Sequence, residues 1–183
     1  MLVVVHVRIE GISPLLVNQF HEEAADEATS GVHARRERLS PQEDATKRLY
    51  PQNGNGPMFP AENIRQSIIG ASSRTKIGRR SATTDVAAAV YIFPEMLSLE
   101  GEWHVDSRAV VIPATKGRIT RHRPMFNDWS ISFDLQINVD LIDQRTVKEI
   151  VENAGALVGV GDFRPARKGP YGRFSVVSWE VTK

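Results

Sequence analysis

The chain has 183 residues and a mass of 20.4 kDa, with 41% hydrophobic and 25% charged residues, which fits one globular domain with its own core and excludes a mostly disordered or fibrous chain. It contains no cysteine, so a disulfide framework, a thiolate metal site and a cysteine nucleophile are excluded. The formal net charge of +1 conceals an uneven distribution of charge along the sequence.

Val3, Val5, Val7 and Ile9, with His6 and Arg8 between them, predict a strand that Gly11 breaks; residues 13–17 continue it as a short extended piece. Residues 22–48 are charged, alanine-rich and weakly periodic, so residues 20–56 read as an insertion, in part helical, that orders on a partner. The turn cluster Asn53, Gly54, Asn55, Gly56 and Pro57 precedes a helix whose first turn holds Pro60 and Glu62 and whose apolar face holds Ile64, Ile68 and Ala71. Residues 72–85 then form a basic loop containing Ser and Thr. Residues 86–93 predict a short buried strand ended by Pro94, an extra hairpin element or part of an insertion. Val110, Val111 and Ile112 predict a further strand closed by Pro113.

Trp129, Ile131, Phe133, Leu135, Ile137 and Val139 alternate with polar residues and predict a strand with one buried face. The helix after it is capped by Asp143, striped by Val147, Ile150, Val151 and Ala154, and ended by Gly155 as its left-handed residue. A glycine loop over 159–172 leads to a last strand over 174–181. The order strand, helix, strand, strand, helix, strand predicts an α+β, ferredoxin-like (βαββαβ) domain over 1–183: an antiparallel sheet with two helices on one face, and insertions after the first strand and in the middle. No apolar run approaches the ~18 to 20 residues that cross a bilayer, and the apolar start runs into His6 and Arg8 without a cleavage pattern. A cytoplasmic protein without membrane contact is expected.

Three stretches hold fourteen of the 23 Lys and Arg residues and none of the 22 Asp and Glu. The first, over 63–84, includes Arg74, Lys76, Arg79 and Arg80 beside several hydroxyls, a mixture suited to phosphate contacts that position a strand without reading bases. The second, over 107–127, includes Lys116, Arg118, Arg121 and Arg123. In extended chain these cations fall on both sides, which a buried sheet does not tolerate; the segment reads as an edge or protruding ribbon, with Phe126 and Trp129 each either a base platform or a core anchor, the core preferred for Trp129 and Phe126 kept as the candidate platform. The third, over 163–178, holds Arg164, Arg167, Lys168 and Arg173, with Tyr171 among them. Taken singly, each is a solvated loop. Brought together by the fold, they make a field suited to a polyanion.

The most distinctive segment is the loop with Gly159, Gly161, Gly169 and Gly172. Glycine admits φ > 0 and lacks a Cβ, so backbone amides and cations can approach phosphates closely there. A helix rather than a strand precedes the loop, so it is not a dinucleotide fingerprint. A glycine-rich loop between the last helix and last strand of a ferredoxin-like domain resembles the RAMP superfamily, closest to the backbone-type subunits of CRISPR effectors. Phage-encoded proteins with Pro-Leu-Leu after the first strand, Gly-Arg-Ile-x-Arg-x-Arg-Pro in the middle and Gly-Asp-Phe-Arg-Pro near the end are similar as well. The resemblance implies that these basic loops line a groove for RNA.

The expected function is non-catalytic binding of single-stranded nucleic acid, RNA favoured and DNA possible, by a subunit that coats the strand as a homo-oligomer or filament, with or without other subunits of a nucleoprotein complex. The segregated charges of neighbouring copies suit such an assembly. One alternative is a metal-independent endoribonuclease of the guide-processing type, with His122 between two arginines as general acid or base. Another is a phage structural or inhibitory protein that docks an acidic protein. The five histidines show no paired spacing, so neither a metal nor a cofactor is expected.

Overall fold

The computed structural model describes residues 1–19, 39–51, 54, 56–111 and 117–182. Lys116, the expected strand end at Ile112 and Pro113, the turn residues Asn53 and Asn55, and much of the 20–56 insertion lie outside them. In chain order the elements are β1 (Leu2–Gly11), β2 (Leu15–Leu16), α1 (Pro41–Thr46), β3 (Met58–Pro60), α2 (Ala61–Ser72), β4 (Lys76–Ile77), β5 (Arg80–Ser81), α3 (Thr83–Ala89), β6 (Val90–Phe93), β7 (Met96–Glu100), β8 (Trp103–Val111), β9 (Arg118–Phe126), β10 (Ser130–Asn138), α4 (Gln144–Asn153) and β11 (Phe174–Thr182).

The two clearest alternating stretches pair with each other. β1 lies antiparallel to β10 in the register Val5 to Leu135, Val7 to Phe133 and Ile9 to Ile131, so both apolar stripes fall on one face and are fully buried there. β11 flanks β1 on its free side, and β6 and β7 both pair with β10, giving the sheet order β11-β1-β10-β6/β7 with β3 beyond β7. Ile64, Ile68 and Ala71 of α2 and Val147, Ile150 and Val151 of α4 complete the core against that face. The architecture is the expected α+β, ferredoxin-like one. Among the described residues no helix is long and apolar enough to cross a membrane.

Three elements differ from expectation. The second core strand is not 110–112 but the broken pair β6 and β7, while 86–93 divides into the end of α3 and then β6. Ala87, Ala88 and Ala89 favour helix up to Val90, and Pro94, with no N–H to give, interrupts the strand between Phe93 and Met96. Val110 and Val111 belong to β8, which pairs with β9 as a hairpin in a second sheet of order β2-β9-β8. The last helix does not stop at Gly155. It runs on through a π-helical turn, Ala154–Val158, to Gly159 at φ 71°. Gly155 serves close packing instead, since a Cβ there would fall 2.1 Å from the Phe174 carbonyl oxygen. The N-terminus of that helix is as expected: Asp143 accepts from the Thr146 amide at 2.9 Å. α1 carries a capping box, Ser40 with Glu43, inside the segment read as an insertion.

The sheet face away from the helices is polar along β10, with Tyr91 and Phe93 of β6 stacked beside it. His6 Nδ1 lies 2.8 Å from Asp134 Oδ1, and Arg8 donates to Glu100 at 2.8 Å and to the Ser130 hydroxyl at 2.8 Å. The Arg8 hydrogen bond, with help from Ser130, holds the Glu100 carboxyl below its usual range, and hydrogen bonds from Thr146 do the same for Asp143. A carboxylate with a lowered folded-state pKa stabilises the fold at pH values above its unfolded pKa of about 4, and that contribution is lost as pH falls through the folded value. Thermal melts from neutral pH down to about pH 3 should therefore fall less steeply for Glu100→Gln than for the parent; an identical acid slope would deny Glu100 this role.

Candidate nucleic-acid interface

The glycine loop is stitched to the chain that follows β1. Val160 N–H donates to the Gly172 carbonyl at 2.9 Å, Gly172 N–H to Pro14 at 2.8 Å, and Asp162 N–H to Leu16 at 2.8 Å. Leu15 and Leu16 in turn pair with Phe126 and Met125 of β9. The loop and the β8–β9 hairpin thus share one strand as their seam.

The glycines make this stitching possible and do not form an open cradle. Gly161 packs onto β2, where a Cβ would fall 2.6 Å from Leu15 Cδ1, and Gly169 sits on the Phe163 carbonyl, where a Cβ would fall 1.7 Å away. The amides of residues 160, 162, 163, 167, 168, 169, 171 and 172 all donate within the protein. Most of the amides that the glycines are expected to present to phosphates are thus engaged within the protein, and side chains make up the larger part of what the loop offers an anion.

A partly buried ion pair joins the second basic stretch to the residue just before the third. Arg123 of β9, only 7% exposed, donates through Nη1 to Asp162 Oδ2 at 2.7 Å, and its Nη2 lies 3.9 Å from Asp106 Oδ2. Its Nε is buried without a partner among the described residues. Asp106, facing Arg123 across the hairpin, also binds Arg108 Nε at 2.8 and 2.9 Å, and the Arg108 guanidinium lies 4.9 Å from the centre of the Tyr171 ring. The hydrogen bond that Arg108 donates to Asp106 raises the Arg108 pKa above its ordinary value.

The sequence-derived candidates now separate. Arg118 at the hairpin's outer end, Arg167 and Lys168 on a short 3₁₀ turn, and Arg173 before β11 are exposed and make no ion pair among the described residues. Arg121 is half-buried on β9, and Arg164 donates to the Gly161 carbonyl at 2.9 Å. Two candidates are corrected. Arg123 is taken up by carboxylates inside the fold, and Phe126 is fully buried between Leu15 and Trp103, so its ring offers no base platform. Trp129, expected in the core, is 4% exposed and donates to the Ser13 carbonyl at 2.9 Å.

Arg74, Lys76 and Arg79 of the first basic stretch are exposed around the β4–β5 hairpin and Arg80 pairs with Asp85 at 3.1 Å, but none of these four side chains bonds to the other two stretches among the described residues. The link is indirect: Gly70 near the end of α2 lies against Val158, just before the glycine loop. Direct contact is thus seen between the second and third stretches, where Arg108 lies over Tyr171, and no bond is seen from the first stretch to either among the described residues. His122 is half-buried, with Nδ1 2.7 Å from Ser107 Oγ. Among the described residues no group of His, Asp and Glu side chains is placed to hold a metal ion.

Sequence reasoning missed Asp106, Asp162 as the partner of Arg123, and Phe163. The pairing Asp106 to Arg123 needed the hairpin register, which the loop between the strands leaves unspecified in sequence. Phe163 is 43% exposed with a backbone φ of 47°.

No family model and no curated protein matches the chain. Among solved structures, a chain of the Type III-B Cmr-beta bound to cognate target RNA, determined by cryo-electron microscopy, is similar over 100% of this chain with a TM-score of 0.58 and 13% identity. This chain spans 61% of that chain's length. The likeness is one of fold, and it agrees with the ferredoxin-like α+β architecture that the order of elements implies.

Proposed function

We propose that the chain binds single-stranded nucleic acid, RNA in preference to DNA, as a non-catalytic subunit of a larger nucleoprotein assembly in which copies or other subunits follow one strand. The observation that carries the reading is the junction of the β8–β9 hairpin and the glycine loop through Arg123 and Asp162, which fixes two basic stretches side by side while Arg118, Arg167, Lys168 and Arg173 stay exposed. Such cations neutralise phosphates and release counterions. The fold shared with a chain of an RNA-bound complex supports RNA over DNA.

A salt series of binding to single-stranded RNA, single-stranded DNA and duplex tests this. The Arg167→Ala, Lys168→Ala double variant should bind single-stranded RNA more weakly, with the log–log salt slope reduced by about 1.4 if both residues contact phosphates. Unchanged affinity and slope would remove the glycine loop from the interface. The endoribonuclease alternative draws on the Ser107 contact that orients His122. RNA recovered intact after metal-free incubation supports the binding subunit, whereas cleavage abolished by His122→Ala would establish the enzyme.

A further inference from the structure

We infer that Phe163 is a stacking platform for one unpaired base of the bound strand. This rests on the nucleic-acid reading above and names what the site selects: a strand whose bases are free to splay.

Phe163 is held in a position that packing alone would not favour. A bulky residue at φ 47° is an outlier that costs on the order of 1–3 kcal/mol and persists only where its surroundings fix it. Three contacts do so. Its N–H donates to Asp162 Oδ1 at 2.9 Å, its carbonyl accepts from Tyr171 N–H at 3.3 Å, and Gly169 leaves room for that carbonyl where a side chain would collide with it. The strained backbone nevertheless leaves a large apolar ring 43% exposed.

The ring is braced from one direction. It meets Tyr171 at a centroid distance of 6.1 Å and an interplanar angle of 59°, and the Arg108 guanidinium lies over the Tyr171 ring. Arg108 is in turn held by Asp106, the residue beside the buried Arg123. Tyr171 is therefore half-buried and engaged, while Phe163 presents what remains open. Arg167 and Lys168 follow within five residues, exposed on the 3₁₀ turn. An aromatic surface beside unpaired cations is the combination that takes the bases and the backbone of one single strand at once.

Stacking and phosphate contact leave different signatures. With the intact protein, Phe163→Ala should weaken binding to single-stranded oligoadenylate by roughly tenfold to a hundredfold, the range for losing one base–aromatic stack, while the salt slope stays at the parent value. Binding to an abasic ribose-phosphate strand of equal length, and to duplex, should be unchanged. Phe163→Gly, which relaxes the left-handed backbone, should show the same loss, and Phe163→Trp should restore affinity. Oligoadenylate binding unaffected by Phe163→Ala, or an equal loss on the abasic strand, would overturn the platform while leaving the phosphate-binding reading intact. A parent protein that binds neither strand would overturn both.

Discussion

Replacing Asp162 by alanine is expected to weaken binding of single-stranded RNA, although it removes a negative charge from the middle of a basic surface. A calculation from net charge alone gives the opposite sign, which makes the variant informative. Asp162 is the close partner of Arg123, whose Nε has none and whose other carboxylate, Asp106, is 3.9 Å away and shared with Arg108. Removing one member of a buried pair leaves an uncompensated charge and costs about 3–5 kcal/mol when both members are buried. Asp162 is itself 35% exposed, so about 3 kcal/mol or somewhat less is expected, read from urea unfolding. The loss of RNA affinity follows because the same carboxylate ties the glycine loop to the hairpin and accepts from the Phe163 amide. An Arg123→Met, Asp162→Leu double variant should recover much of the stability, since apolar residues of similar volume can replace a buried pair. Tighter RNA binding by Asp162→Ala would show that the cations act without the clamp.

The clamp also marks where the sequence stops being legible. β1, β10 and α4 follow from period-two and helical spacing because each has one buried face and one wet one, whereas β11 is legible from its run of β-branched and aromatic residues and is fully buried only at Phe174. The second core strand escaped because it is two short pieces separated by Pro94 and Glu95 and preceded by an alanine helix, so no single window carries its period. The outer half of β8 is exposed on both sides and has no alternation to read. The cations themselves are plain in the sequence. Which of them face solvent is not, because Arg123 and Asp162 are 39 residues apart and meet only after Leu15 and Leu16 join β9 on one side and the glycine loop on the other. Phe163 gave no signal of its own; its left-handed backbone depends on a glycine six residues later.

Those glycines yield the other large effect. Gly172→Ala is expected to destabilise the fold by on the order of 2–5 kcal/mol, the sum of a left-handed backbone penalty and an overpacking penalty. The residue sits at φ 68°, and a Cβ there would fall 1.8 Å from the Val160 carbonyl oxygen, a backbone atom that no side-chain rotation can clear. Relief requires breaking the bond from Val160 N–H to the Gly172 carbonyl, which opens the loop two residues before β11 begins. Among the described strands β11 pairs with β1 alone, so Phe174 at its start is retained by that pairing and by its packing on Gly155 and Trp129, which the opened loop would disturb. Gly78→Ala is the control: φ there is 62°, but no atom lies within 4 Å of the added methyl, so only the backbone penalty of about 1 kcal/mol applies. Urea unfolding of the two variants should differ by several-fold in the free energy lost. Equal losses would mean that the left-handed backbone, and not the contact with Val160, is what Gly172 is there to permit.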